Sequence, residues 1–175
     1  MTAKQEKILK SALELFAKEG YKATSTSKVA KHAGVSEGLI FRHFTNKEGL
    51  LDAILKEGEE QAKLLFSDIV FETEPKEVLR KAFAMLENLQ ANKAALEFWK
   101  LQYKIKWETE KYGEHKTEPL ELALASAFKK LGFANPEQEA LFMLIIVDGI
   151  AMHYFLKQTF DLDAMIALLK AKYEV

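Results

Sequence analysis

Apolar positions recur three and four residues apart along almost the whole chain, the spacing of amphipathic helices. Ile8, Leu9, Ala12, Leu13, Leu15 and Phe16 form the first apolar face, and Gly20 supplies its stop. Thr24-Ser25-Thr26-Ser27 offers N-caps for a short helix carrying Val29, Ala30 and Ala33, which Gly34 ends. Ser36 is placed to cap a helix over Glu37–Phe44, with Ile40 and Phe44 inward. Thr45 or Asn46 then caps a fourth helix with Leu50, Leu51, Ile54 and Leu55 on its apolar side. After Gly58 the pattern predicts longer helices over Glu59–Phe71, Pro75–Gln90, Lys93 to about Tyr112, Glu118–Leu131, Pro136–Gln158 and Asp161–Tyr173. Ile69-Val70-Phe71 is the only β-like triplet, and no internal repeat is visible.

Composition narrows the class. Of 175 residues, 49% are hydrophobic and 29% charged, the balance of a globular chain able to bury a core. With 8 Gly and 3 Pro, an all-β fold of many tight turns is disfavoured. The absence of cysteine excludes a disulfide framework, a thiolate metal site and a cysteine nucleophile, and fits a cytoplasmic protein. Lys4, Glu6, Lys7, Lys10 and Glu14 interrupt any signal-peptide pattern at the start. The apolar stretch from Leu141 to Leu156 is short for a membrane span and carries Asp148 and His153, so it reads as a buried helix with no membrane partner. His32, His43, His115 and His153 lack metal-ligand spacing, and no nucleophile–base pair or Gly-rich phosphate loop occurs. The chain is therefore expected to be no enzyme and to need no cofactor or metal.

Charge is uneven. Residues 1–47 hold nine Lys/Arg against four acids, a net +5, while the remainder carries −6. A basic head on an acidic body suggests that the head meets a polyanion; a merely solvated face is the plainer alternative. The handover from basic to acidic lies near residues 46–58, giving a division into 1–47 and 48–175. Within the head, the two short helices joined by Ala33-Gly34-Val35-Ser36 make a helix-turn-helix. Gly34 can take the positive φ of a tight turn, Val35 can plug the gap between the helices, and Ala30 and Ala33 allow close approach. Gly38 leaves the first turn of the second helix bare, so that backbone can come near a phosphate or base edge.

The block from Ile8-Leu9 through Gly20-Tyr21-Lys22-Ala23-Thr24-Ser25, Val29-Ala30-Lys31-His32-Ala33-Gly34-Val35-Ser36-Glu37-Gly38 and Ile40-Phe41-Arg42-His43-Phe44-Thr45-Asn46-Lys47-Glu48-Gly49-Leu50-Leu51 resembles the tetracycline-repressor (TetR) family of bacterial transcriptional regulators. The resemblance covers roughly residues 5–55. It implies an all-α homodimer: a three-helix helix-turn-helix DNA-binding head joined to a C-terminal helical bundle that dimerises and takes a small effector. Carried over by position, Thr26 and Ser27 resemble phosphate contacts. Val35, Ser36, Glu37, Gly38 and Leu39 would start the recognition helix in or beside the major groove. Phe41 and Arg42 would point toward DNA, and His43 and Lys47 would anchor on phosphates. Ser36 and the Thr24–Ser27 hydroxyls can equally be plain helix caps. Two positions depart from the family's habit. Phe41 stands where many relatives have Tyr and cannot donate to a phosphate. Glu37 stands where the residue is often basic or neutral; its carboxylate either accepts from a cytosine amino group or simply favours the helix dipole.

In the acidic body, Trp99, Tyr103 and Trp107 fall on one helical stripe, which is either core or the wall of an effector cavity. The expected ligand set is Phe66, Phe83, Trp99, Gln102, Tyr103, Trp107 and Phe142, with His115 and Tyr154 as further polar handles. Two apolar stripes, Leu120, Ala123, Leu124, Ala127, Leu131 and Ile145, Ile146, Gly149, Met152, His153, Leu156, are the expected dimer interface; the alternative is a monomeric core helix. The function that follows is a ligand-responsive regulator releasing a palindromic double-stranded operator when a small apolar effector binds. The competing reading is a helical protein-interaction module without DNA binding.

Overall fold

The computed structural model describes residues 1–110, 117–156 and 159–175, and within them omits the side chains of Lys93 and Ala94. The described residues are helical, with no strand. The elements are α1 (Ala3–Glu19), α2 (Thr26–Ala33), α3 (Glu37–Phe44), α4 (Lys47–Val70), α5 (Pro75–Ala91), α6 (Lys93–Thr109), α7 (Glu118–Lys130), α8 (Pro136–Leu156) and α9 (Leu162–Tyr173). The all-α expectation holds, and α3 has the expected bounds. The expected ends of α6 at Tyr112 and of α8 at Gln158 lie outside the described residues, as does His115. Of the β-like triplet, Ile69 and Val70 close α4 and Phe71 follows in the turn, so no strand forms.

Local chemistry explains the boundaries. Thr2 and Gln5 form a reciprocal capping box that starts α1, and Gly20, at φ 96°, ends it. Among the four candidate hydroxyls before α2, Ser25 makes the cap, accepting from the Lys28 N–H at 3.2 Å. Thr24 instead is buried and donates its hydroxyl to the Gly20 carbonyl at 2.9 Å. Asn46 caps the start of α4 by accepting from the Gly49 N–H at 2.7 Å. The expected break at Gly58 does not occur, since α4 runs through it. The missing side chain leaves room for Gln102: a Cβ would sit 2.6 Å from the Gln102 amide, which would have to shift.

The chain divides into two compact units, Met1–Gln61 with Glu97–Gly113, and Ala62–Leu96 with Glu114–Val175. The first unit is built on an apolar cluster in which Ile8, Ala12, Phe16, Val29, Ala33, Ile40, Leu50 and Ile105 are fully buried. Ile105 belongs to α6, so this core closes with a residue about sixty positions beyond the last head helix. Phe98 and Leu101 pack against the same cluster. The inward face of α6 is therefore Phe98, Leu101, Gln102 and Ile105. The aromatic stripe read from the sequence is rotated off it, Trp107 being 73% exposed.

In the second unit α7 packs along α8, and α5 packs against α7 and α9. Its interior holds a ring cluster: Phe83 and Phe128 lie 6.0 and 5.5 Å from Tyr173, and Phe133 lies 4.9 Å from Phe128. The Tyr173 hydroxyl donates to Glu139 at 2.8 Å. Burial first, and then this bond to a carboxylate, push the Tyr173 phenol above its ordinary range. The reading of 141–156 as a buried helix needs correction. Only 28% of the most apolar stretch of α8 is buried, and Leu141, Phe142, Ile145, Met152 and Leu156 are exposed.

Gly34 has φ 64° and open space around its missing Cβ except for the end of Lys7. Gly34→Ala is expected to lower stability by about 1 kcal/mol through backbone strain alone. Gly38→Ala, with nothing within 4 Å of its Cβ, is expected to leave stability unchanged or slightly raised. Urea unfolding of the two variants checks the contrast.

Candidate nucleic-acid interface

The helix-turn-helix is assembled as its sequence dictates. Val29, Ala30 and Ala33 bury the inner face of α2. The left-handed Gly34 lets its own N–H reach the Lys31 carbonyl at 3.2 Å and the Val35 N–H reach the Ala30 carbonyl at 3.0 Å. Val35 then packs half-buried against the core, plugging the turn as expected. Ser36 occupies the N-cap position of α3, but its hydroxyl makes no cap hydrogen bond. That corrects the expected cap and leaves an exposed hydroxyl beside the first turn.

The candidate contact residues gather on and beside α3. Ser27, Ser36, Gly38 and Arg42 are exposed, and Phe41 is 45% exposed, a high value for so apolar a ring. Among the described residues Arg42 has no carboxylate partner, whereas Lys28 on α2 is paired with Glu19 at 2.5 Å. Val35, Leu39 and His43 are half-buried, the last with its ring edge to face with Phe44 at 6.2 Å. Thr26 and Glu37 meet: the Thr26 hydroxyl donates to Glu37 Oε1 at 2.6 Å.

Lys47 is held. Its Nζ lies 4.4 Å over the Tyr21 ring and donates to the Lys22 carbonyl at 3.4 Å. Tyr21 is in turn packed edge to face on Phe16 at 5.2 Å. Partial burial lowers the ammonium's affinity for its proton, and the Glu108 carboxylate acts in the opposite direction.

Sequence reasoning missed how α6 is tied to this head. The Glu108 carboxylate accepts from the Tyr21 N–H at 2.9 Å and the Lys22 N–H at 3.2 Å. The Lys104 ammonium donates to the Ala17 carbonyl near the end of α1. Fully buried Gln102 donates to the Ile54 carbonyl at 2.9 Å, and its own Oε1 has no partner among the described residues. These bonds join positions some 50 to 90 apart, which no local pattern encodes.

The structure places the expected ligand residues in both units. Trp99, Gln102, Tyr103 and Trp107 lie in the first, with Trp99 and Tyr103 half-buried. Phe66, Phe83, Phe142 and Tyr154 lie in the second; Phe83 is fully buried in the ring cluster, Phe66 half-buried and Phe142 47% exposed. A groove of about 380 Å³ runs along the second unit between the end of α4, α5 and α7, lined by residues including Val70, Pro75, Val78, Leu122 and Ala123. Of the expected dimer residues on α7, Leu120, Leu124 and Ala127 are buried within their own unit, while Ala123 and Leu131 are partly exposed. The outward apolar residue of α7 is Leu122, 64% exposed, which the sequence stripe left out. On α8, Ile145, Met152, His153 and Leu156 are exposed and Ile146 and Gly149 half-buried.

Residues 8–54 match the profile described as bacterial regulatory proteins, tetR family, so the head is similar to that family's over about a quarter of the chain. The HTH-type transcriptional regulator YvkB of Bacillus subtilis is 36% identical over 96 residues, 53% of this chain and 49% of that protein. The fatty acid metabolism regulator protein of the same organism is 43% identical over 54 residues, 31% of this chain and 28% of that protein. The chain thus spans half or less of the length of these curated relatives. Solved structures extend the likeness in fold to nearly the whole chain. A transcriptional regulator from Aquifex aeolicus superposes with a TM-score of 0.69 at 24% identity, over 98% of both chains. The regulator FadR of Bacillus subtilis, solved with stearoyl-CoA, gives a TM-score of 0.68 at 22% identity over 94% of both.

Glu108→Ala removes a charged acceptor from two backbone N–H groups in the α1–α2 turn. It is expected to cost about 1–2 kcal/mol, discounted for partial exposure, with Glu108→Gln losing less because it keeps one acceptor oxygen. Thermal and urea unfolding of the two variants measure the difference.

Proposed function

We propose that this protein is a homodimeric, ligand-responsive transcriptional regulator that represses from a palindromic operator and releases it when a small apolar effector binds. Residues 1–47 would be the DNA-binding domain and 48–175 the effector-binding and dimerisation domain. The observation that carries the DNA-binding reading is the exposed face of α3. Ser36, Gly38, Phe41 and Arg42 lie open in a segment of net charge +5 that matches the family's profile. Arg42 would read a base, and Ser27, His43 and Lys47 would position the head on phosphates. A mobility shift with the DNA upstream of the protein's own gene tests this. The regulator retards that fragment at moderate salt and leaves a shuffled one free. Lys47→Ala is expected to weaken binding to all sequences and reduce the salt slope by about 1, while Arg42→Ala changes base preference; affinities across a site library at several salt concentrations separate the two.

The dimer reading rests on α8. It is 21 residues long and its most apolar stretch has mean hydropathy 1.7, long and apolar enough by those measures to cross a membrane. Its outward stripe, Leu141, Phe142, Ile145, Met152 and Leu156, needs cover. A second copy placing the same stripe against it would form a four-helix bundle of α7 and α8 from each protomer. A single recognition helix reads too few base pairs for specificity, so two are required. Ile145, 60% exposed, contributes little to its own subunit's interior. Ile145→Asp is therefore expected to turn the dimer into a folded monomer in sedimentation velocity and to weaken operator binding at least about tenfold, by loss of the second half-site.

The effector reading draws on relatives of the same fold, one solved with stearoyl-CoA and another, from Saccharomonospora viridis, with choline. Within the first unit Trp99, Gln102, Tyr103 and Trp107 are the proposed contacts. The unpartnered Oε1 of buried Gln102 is the polar atom that a ligand donor would satisfy. An effector relieves binding only by preferring the conformation that does not fit DNA, typically by about 1–3 kcal/mol. Native mass spectrometry of the purified protein, looking for a co-purifying small molecule released with a gain in operator affinity, tests it.

A further inference from the structure

Thr26 and Glu37 are the first residues of α2 and α3, and the turn at Gly34 brings these two helix starts together. The hydrogen bond between them has a direction. The Thr26 hydroxyl donates to Glu37 Oε1 at 2.6 Å, so its one proton is spent on the carboxylate and is not available to a phosphate oxygen. A phosphate drawn to Thr26 would also meet the charge of Glu37. The contact moreover clamps the carboxylate at the leading end of the recognition helix. Its immediate neighbours there are the Ser36 hydroxyl, which caps nothing, and Gly38, with nothing within 4 Å of its Cβ position.

An ionised carboxylate only accepts hydrogen bonds, and the Thr26 bond uses one of its several acceptor sites. In a major groove the donors are the cytosine N4 and adenine N6 amino groups. Adenine N6 stands between two acceptors, its own N7 and the thymine O4, and both repel a carboxylate. Cytosine N4 has the C5–H edge on one side, so only the guanine O6 opposes approach. The difference favours cytosine.

We propose, on the basis of the DNA-binding reading above, that Glu37 is a specificity-determining residue that reads a cytosine in each half-site, and that Thr26 is its positioning residue rather than a phosphate ligand. The positive charge of the head offsets the repulsion between this carboxylate and the duplex backbone. The carboxylate therefore costs affinity on most sequences and returns it only where an amino group meets it. A residue of this kind raises discrimination more than it raises binding.

The test is selection of preferred sites from a randomised duplex library by the full-length wild type, Glu37→Gln and Thr26→Val, followed by anisotropy titrations on the selected site and its single-base variants. Wild type is expected to enrich one cytosine per half-site, with roughly five- to hundredfold weaker binding when that base is changed. Glu37→Gln, nearly isosteric, is expected to lose preference at that position alone, or to shift it to adenine, with every other position unchanged. Thr26→Val is expected to blunt the same preference several-fold while binding other sequences as before. Overturning results are a Glu37→Gln protein whose base preferences match wild type at every position, or a Thr26→Val protein weakened equally on all sequences. If wild type enriches no sequence, the DNA-binding reading falls and this inference with it. Enrichment without a change in Glu37→Gln removes the inference alone.

Discussion

The first unit depends on one backbone conformation, the left-handed residue at Gly34. With φ positive there, α2 stops within a single residue and the chain turns back so that Val35 drops onto the core. The starts of α2 and α3 then meet closely enough for Thr26 to reach Glu37. A side chain with a Cβ at this position would strain the turn. The short helices on either side bury only one face each, so neither is long enough to be stable alone. Their order comes from the shared cluster around Phe16 and Ile40, and the turn decides which residues the cluster leaves outside.

That cluster is not completed by the N-terminal segment. Ile105 fills it from α6, and Gln102, Lys104 and Glu108 fasten the same helix to α4, the end of α1 and the α1–α2 turn. Glu108 and Lys47 act on the same two residues from different sides: the carboxylate takes the N–H groups of Tyr21 and Lys22, while the ammonium takes the Tyr21 ring face and the Lys22 carbonyl. A displacement of α6 within this unit is therefore a displacement of the bed on which Lys47 rests. In a regulator, the helix proposed to sense an effector and the lysine proposed to grip phosphate are thereby linked through one peptide segment.

Much of this was readable in the chain because its signals are local. Gly34, Ser25 and Asn46 act on residues within four positions, and the period of Ile8, Ala12 and Phe16 is set by the helix itself. The helix-turn-helix was legible for that reason, as were the caps at Ser25 and Asn46 and the bounds of α3, whereas Ser36 does not make the cap expected of it. The inward face of α6 was not. Trp99, Tyr103 and Trp107 form the more conspicuous stripe, but side-chain size does not say which way a helix faces when its neighbours come from distant sequence. Phe98, Leu101 and Ile105 face the core because the partners of α6 are α1 and α4. Gly58 misled for a related reason: it looks like a helix stop, and its lack of a side chain instead makes room for Gln102. On α7, period alone could not choose between the buried Leu120, Leu124 and Ala127 and the outward Leu122.

The head is proposed to be a sequence-reading DNA surface that works in pairs. The most direct measurement is a titration of the wild-type protein onto its own upstream DNA and a shuffled duplex of the same composition, followed by fluorescence anisotropy with stoichiometry, from roughly 50 to 200 mM salt. Two chains per site are expected, with affinity for the upstream DNA about a thousandfold or more above the shuffled duplex and a steep linear fall of log affinity with log salt. Equal affinity for both duplexes, one chain per site, or binding indifferent to salt would contradict that proposal.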